Sequence, residues 1–341
     1  MNAKTLFNSR NILIFCAILT ALLLPLLLQT NQYVMVLMTT VLISAVLASA
    51  WNIIGGMAGQ LDLAAAAYLG LGAFTTGTLL IRWNITPWLG MFVGGVVAVG
   101  LAMLIGFPLF GFKVKELWYG LSSSAMVVVL QAVFMMWRSV GGATERYLPA
   151  GLSTWYSMRF DSYTPYYYIM LVILVIVLFV NWRIRYSKLG YSLLALGEDE
   201  DAVEVLGVNS QASKLKALAI YAFICGAVGG VYACLYGYIH PSFFDTSMSM
   251  EIAILGIVGG MGFIYGPALA AVIMVSFREY LRSSLGGQMA GLYLAVYAII
   301  LILVALYQPR GIAPLLERGI KKVQSYFAEL RHGRPADVKS Q

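Results

Sequence analysis

Two stretches of this chain, Tyr33 to Ile54 and Ala217 to Ile239, contain no charged side chain at all. Each is longer than the roughly 20 residues a helix needs to cross about 30 Å of hydrocarbon. The runs are continuously apolar, whereas strands of a membrane barrel would alternate over about ten residues, so helices are expected. The remainder agrees: of 341 residues, 60% are hydrophobic and 11% charged, against roughly 25% charged in soluble domains. The pattern predicts an all-α, polytopic membrane protein of roughly eight to ten membrane segments, some broken or re-entrant.

Candidate spans are 11–28, 33–54, 64–81, 88–112, 119–137, 166–182, 217–238, a broken pair within 250–283, and 290–308. The first follows Lys4 and Arg10 as a signal peptide would, but its apolar run is long and no small-residue cleavage pattern follows Leu28, so it reads as an uncleaved span. With the N-terminus in the cytoplasm, the segments near 113–118 and 183–216 and the C-terminal tail also fall inside. Those regions hold 16 of the 22 Lys and Arg residues. The remaining basic residues, Arg82, Arg138, Arg146, Arg159, Arg278 and Arg282, fall outside. This asymmetry obeys the positive-inside rule, and both termini are expected in the cytoplasm. It also accounts for the net charge of +7 without a nucleic-acid partner.

Glycines interrupt two apolar regions: Gly55-Gly56-Met57-Ala58-Gly59-Gln60, and a second set at Gly256, Gly259, Gly260 and Gly262. Broken helices in transport proteins put bare backbone on a cavity. The plainer reading is close helix packing, as in Gly256-xxx-Gly260 and Ala222-xxx-Gly226-xxx-Gly230. Gly55, Gly56, Gly59, Asp62, Gly259 and Gly260 are the candidate residues of a translocation pathway. Asp62 follows the first break directly; it either meets a substrate ammonium or caps a helix beginning at Leu63. Ser122, Ser123 and Ser124 either line the path or bond back to helical carbonyls.

The chain lacks the residues of an ATPase or a metal enzyme. Gly106 to Lys113 lacks the adjacent Gly-Lys-Ser/Thr of a phosphate-binding loop. Ser284-Leu285-Gly286-Gly287-Gln288 imitates an ATPase signature in a segment expected outside. His240 and His332 are far apart, and Cys16, Cys225 and Cys234 lie in apolar runs without metal-type spacing. Few ionisable groups fall inside the spans, Glu251 being the main acidic exception, which disfavours an ion-coupled carrier. The sequence therefore reads as a passage driven from elsewhere, with no catalytic residue, metal or cofactor of its own. A secondary carrier is the competing class, and a membrane-embedded enzyme or scaffold a further one.

The long polar segment 183–216 can form a short helix. Asp199 and its acidic neighbours suit a first turn, and Gly207 suits the left-handed position after a last turn. The run Glu198-Asp-Glu-Asp-Ala-Val-Glu-Val-Leu-Gly207-Val-Asn, then Lys214-Leu-Lys-Ala-Leu-Ala, resembles the coupling segment of branched-chain amino acid ABC importer permeases. Trp51-Asn-Ile-Ile-Gly-Gly-Met-Ala-Gly-Gln-Leu-Asp-Leu and Ala67-Tyr-Leu-Gly-Leu-Gly-Ala-Phe-Thr are similar to that family's early glycine-rich stretch. Gly229-Gly-Val-Tyr-Ala, Pro241-Ser, Gly259-Gly-Met-Gly, Tyr265-Gly-Pro and Gln308-Pro-Arg-Gly-Ile continue the pattern in order over roughly 35–315, most like the LivM-like subunits. The chain departs from it at Ala202-Val203-Glu204-Val205, where the general importer motif prefers Glu-Ala-Ala.

The resemblance implies a permease domain over 1–312 in a bacterial inner membrane. Its partners would be a second permease, two cytoplasmic ABC ATPases that bind ATP and Mg, and a periplasmic or extracellular solute-binding protein. Branched-chain or other hydrophobic amino acids are the implied cargo, with urea, amides and aromatic acids as alternatives. Glu198, Asp199, Glu200, Asp201, Ala202, Glu204 and Gly207 would be the ATPase-coupling residues. The loop 138–165, with Tyr147, Trp155, Tyr156, Phe160 and Tyr163, would be either an aromatic interfacial belt or a dock for the binding protein. The tail 313–341 reads as a cytoplasmic amphipathic surface helix over 313–331, near anionic lipid.

Overall fold

The computed structural model describes residues 31–149, 155–285, 291–308 and 311–312, with isolated positions at 22, 25 and 314. The expected first span at 11–28 and the C-terminal tail lie, apart from those positions, outside the described residues.

The other expected spans are helices. They are α1 (Gln32–Trp51), α2 (Ala65–Trp83), α3 (Pro87–Gly111), α4 (Glu116–Met136), α5 (Thr164–Arg185), α8 (Ser210–Tyr236), α9 (Thr246–Gly259), α10 (Gly266–Leu285) and α11 (Leu292–Tyr307). Two short helices, α6 (Lys188–Glu198) and α7 (Glu200–Val205), fill the polar segment between α5 and α8. Among the described residues, six helical segments are long and apolar enough to cross a membrane, α1 with its extension to Met57 and α3, α4, α5, α8 and Pro241–Gly259. The outward faces fit lipid: α3 alone exposes Phe92, Val96, Leu104 and Phe107.

Local chemistry sets the ends. Asn31 caps α1 by accepting the Val34 N–H at 3.4 Å. Pro87 starts α3 where no N–H is needed, and α2 stops at Asn84 in a left-handed conformation. Within α1 the Thr39 and Thr40 hydroxyls donate to the Met35 and Val36 carbonyls at 2.8 and 3.0 Å, so neither is left unpaired in an apolar setting. Pro108 falls in the last turn of α3.

Two packed groups make the interior. In the first, α2, α3 and α8 press together along their length. Glycine permits this closeness: a methyl on Gly72 would lie 1.8 Å from the Gly226 carbonyl oxygen, and one on Gly226 would lie 2.7 Å from that of Gly94. The small-residue reading of Gly226 and Gly230 is therefore met by geometry. In the second group, α1 packs with α9, α10 and α11 around Ala45, Ala48, Leu255, Ala271 and Met274. Glu251 of α9 and Glu279 of α10 both pair with Arg278, which ties α9 to α10.

Successive long helices alternate in direction, giving the molecule two ends. At one end residues 137–149 and 155–163 fold into a cap. Its strand β1 (Arg146–Tyr147) pairs antiparallel with β2 (Tyr238–Ile239), Arg146 opposite Ile239. The cap is pinned further by Trp88 Nε1 donating to the Trp155 carbonyl at 2.8 Å, Tyr156 Oη to Asn84 at 2.8 Å, and Tyr166 Oη to Met158 at 2.7 Å. At the other end lie α6, α7, the turns at 58–64 and 112–115, and the turn between α9 and α10.

Candidate functional site: α6, α7 and the paired helix breaks

The acidic segment forms α7 with the ends its residues favour. Asp199 is the N-cap, its Oδ1 accepting the Ala202 N–H at 3.0 Å. Gly207 follows the C-cap Leu206 at φ +85°, and a methyl there would meet open space. Glycine is needed at this position for its backbone conformation, not for room.

Two lysines from other elements hold α7. Lys214, in the second turn of α8, is buried and donates to Glu200 Oε2 at 2.7 Å. Its ammonium also lies 5.9 Å from the centre of the Phe110 ring. Lys113, just after α3, pairs with Glu204 Oε2, and the Ser210 hydroxyl donates to the other Glu204 oxygen. The Lys113 bond, then that of Ser210, holds the Glu204 carboxyl below its ordinary range, and Glu204 in turn raises Lys113. Val203 faces inward, while Val205 and Leu206 are 88% and 82% exposed. Asp201 and Ala202 are exposed as well. A cavity of about 380 Å³ opens between α3 and the start of α8, lined by Phe110, Lys113, Glu204, Asn209 and Gln211 among others.

The two glycine-rich breaks, some 200 residues apart in sequence, lie against each other. α1 ends in a wider π-helical turn over Asn52–Met57, and Gly59 then turns the chain at φ +67°. α9 ends at Gly259, and Gly260 and Gly262 carry φ +107° and +74° before α10 begins. Asn52 bonds across the junction: its Oδ1 accepts the Gly262 N–H at 2.9 Å and its Nδ2 donates to the Phe263 carbonyl at 2.9 Å. Nδ2 also lies 3.4 Å from Asn181 Oδ1 of α5, whose own amide donates to Ser49 and Val177 at 3.0 Å. The chain returns to this point after α11, where the Ile312 N–H donates to Val258 at 2.8 Å.

The proposed pathway residues are enclosed in this conformation. Gly55, Asp62, Gly259 and Gly260 are buried, while Gly56 and Gly59 are half-buried. Gly55 and Gly256 both take up the Trp51 ring, and Gly259 packs on Gly266 and Pro267. Asp62 does not cap a helix beginning at Leu63, because α2 begins at Ala65. Ser123 Oγ accepts the Leu63 N–H at 2.9 Å, which leaves Leu63 outside the helix. Asp62 instead accepts from the Ala64 N–H at 2.8 Å, Tyr119 Oη at 2.9 Å and Tyr68 Oη at 3.4 Å. Ser122 bonds back to Trp118 and Ser123 back to Gly120, as their positions suggest, and Ser123 Oγ by also accepting the Leu63 N–H joins α4 to the break.

None of Lys113, Lys214, Asn52 and Asn181 stood among the candidate site residues, although Lys214 lies in the run that resembles a coupling segment. Lys214 had a signal, being one of two cations, with Lys216, in the second turn of a helix that is apolar from Ala217 onward; Asn52 had none beyond being amide-bearing in an apolar run. The Gly106–Gly111 stretch lies inside α3, which offers no phosphate cradle.

A family model described as the permease component of branched-chain amino acid transport systems matches residues 33–305. The high-affinity branched-chain amino acid transport system permease protein LivM of Escherichia coli K12 is 23% identical over 313 residues, covering 83% of this chain and 70% of that protein. The LivM protein of Salmonella typhimurium LT2 gives the same identity and coverage. No solved structure matches. The chain is thus a multi-pass membrane protein that belongs to the branched-chain amino acid transport permease family.

Proposed function

We propose that this chain is one permease half of an ATP-driven importer for branched-chain amino acids, and that α7 is its contact with the cytoplasmic ATPases. The carrying observation is the construction of α7. Lysines from outside the helix fix it to the bundle, while Val205 and Leu206 stand exposed at its C-terminal end. Exposed apolar side chains on a fixed polar support suit a protein groove.

The α6–α7 end is then cytoplasmic, as are both termini, and ATP and Mg belong to the partner ATPases. The second permease lies alongside in the bilayer. The opposite end, where Tyr147, Trp155 and Tyr156 are exposed, receives the solute-binding protein. The names of the relatives support the substrate class. A near absence of charge in the spans suits a passage that releases a zwitterion rather than holding it. Gly55, Gly56, Gly59, Asp62, Gly259 and Gly260 line that passage only once the paired breaks have parted.

Gentle extraction of the tagged chain from its native membrane, with mass spectrometry of what co-purifies, tests this reading. Two ATPase subunits and a second permease are expected, with ATP-dependent leucine uptake in proteoliposomes given the binding protein. A lone chain that carries substrate without ATP overturns it.

A further inference from the structure

α6 links the coupling helix to the breaks: its Leu194 side chain reaches the second break beside Gly262, and the backbone of Gly197 meets the first. The backbone of Gly197, in the last turn of α6, seats directly on the end of α1. A methyl group on Gly197 would lie 3.1 Å from the Met57 carbonyl oxygen and 3.4 Å from the Ala58 carbonyl carbon and the Gly59 nitrogen. Seen from the other side, a methyl on Gly59 would lie 3.3 Å from Gly197 Cα and 3.5 Å from its carbonyl oxygen. No side chain intervenes. Leu193 and Leu196 anchor α6 in the core, and Asp199, two residues beyond Gly197, is the cap of α7.

From Gly59 the contact continues without slack. The first break presses on the second, since a methyl on Gly262 would lie 3.2 Å from the Gly56 carbonyl oxygen, and Asn52 bonds the two together. Side chains in contact can absorb a displacement by changing rotamer, whereas two abutting backbones have no such freedom. A displacement of α6–α7 therefore has a rigid route to both breaks, and a loosened seat would dissipate it.

We infer that Gly197 is a positioning residue for transport: its backbone seat on Met57–Gly59 carries movement of α6–α7 to the paired breaks of α1 and of α9–α10. This rests on the reading of α7 as the ATPase contact. The test uses the whole complex, with its partner subunits and binding protein, in lipid nanodiscs. Hydrogen exchange is followed at 198–207, 55–62 and 260–263 with and without ATP and vanadate. Uptake per ATP is measured in proteoliposomes with leucine.

In the wild type, all three segments should change together on nucleotide trapping. In Gly197→Val the change should stay at 198–207 and vanish from 55–62 and 260–263, with uptake per ATP lower by tenfold or more. Ala195→Val, at another exposed position of α6, should behave as wild type. If Gly197→Val does not assemble, Gly197→Ala replaces it and should show a smaller loss in the same order. The inference is overturned if the assembled variant still transmits the change to 55–62, or if its uptake per ATP is unaltered. A wild-type complex in which nucleotide changes nothing at 198–207 would instead overturn the ATPase-contact reading beneath it.

Discussion

Removing the carboxylate of Glu200 should release α7, and removing its lysine as well should largely restore it. Lys214 is buried with a side-chain exposure of 8%, and Glu200 meets it at 2.7 Å with an exposure of 31%. At that separation the gross attraction is about 6 kcal/mol at an effective dielectric near 20. Desolvation of the ammonium offsets most of it. Breaking a fully buried pair costs about 3–5 kcal/mol because the surviving charge stays unpaired. The partial exposure of Glu200 screens this one, so about 2 kcal/mol is a fair figure.

That corresponds to roughly a 30-fold larger population of detached α7. Amides 202–208 of Glu200→Ala, followed by hydrogen exchange in nanodiscs, should lose protection by that factor. Glu200→Ala with Lys214→Met keeps the apolar stem against Phe110 and removes the stranded charge; it should recover to within about fivefold of wild type. Equal exchange in Glu200→Ala and wild type, or a double variant as loose as the single, would refute the latch.

The second latch should fail only at the extremes of pH. Glu204 has its pKa lowered by Lys113 and Ser210, so its contribution is complete above the ordinary carboxylate value and lost as pH falls through the lowered one. Lys113 has its pKa raised, so its contribution is complete below the ordinary lysine value and lost above it. Protection of 202–208 should accordingly stay flat through neutrality. Among the glycines, Gly226→Ala should cost about 1–3 kcal/mol, since its methyl meets the Gly94 backbone, while Gly100→Ala meets nothing within 4 Å and should be neutral or mildly stabilising. Melting of the purified complex separates the two. Tyr147→Ala with Trp155→Ala should leave the amount of assembled complex unchanged and reduce uptake stimulated by the binding protein; deleting 144–160 is the poorer test, because the cap is bonded into α2, α3 and α8.

The helices were legible because a bilayer demands long uncharged runs, and Tyr33–Ile54 and Ala217–Ile239 have no other use. α7 was legible for a local reason, since Asp199 and Gly207 carry its cap and its left-handed exit within nine residues of chain. The meeting of the two breaks was not. The Asn52–Gly262 bond joins residues 210 apart, and neither periodicity nor turn chemistry reports a contact at that separation. Asp62 was misread because its spacing suits a cap, and only the hydroxyl of Ser123, 60 residues on, takes Leu63 out of the helix.

The long reach of the Asn52 bonds also bears on how the chain is made. A ribosome delivers α1 to the membrane well before the Gly260–Phe263 turn exists. During that interval the Asn52 amide and the glycine-rich backbone beside it lack their partners in a medium that offers none. The first half of the protein should therefore linger at the insertion machinery, shielded by it, until α9 and α10 emerge. A nascent chain arrested near residue 245 should crosslink to the insertase through position 52, and one arrested beyond residue 300 should not.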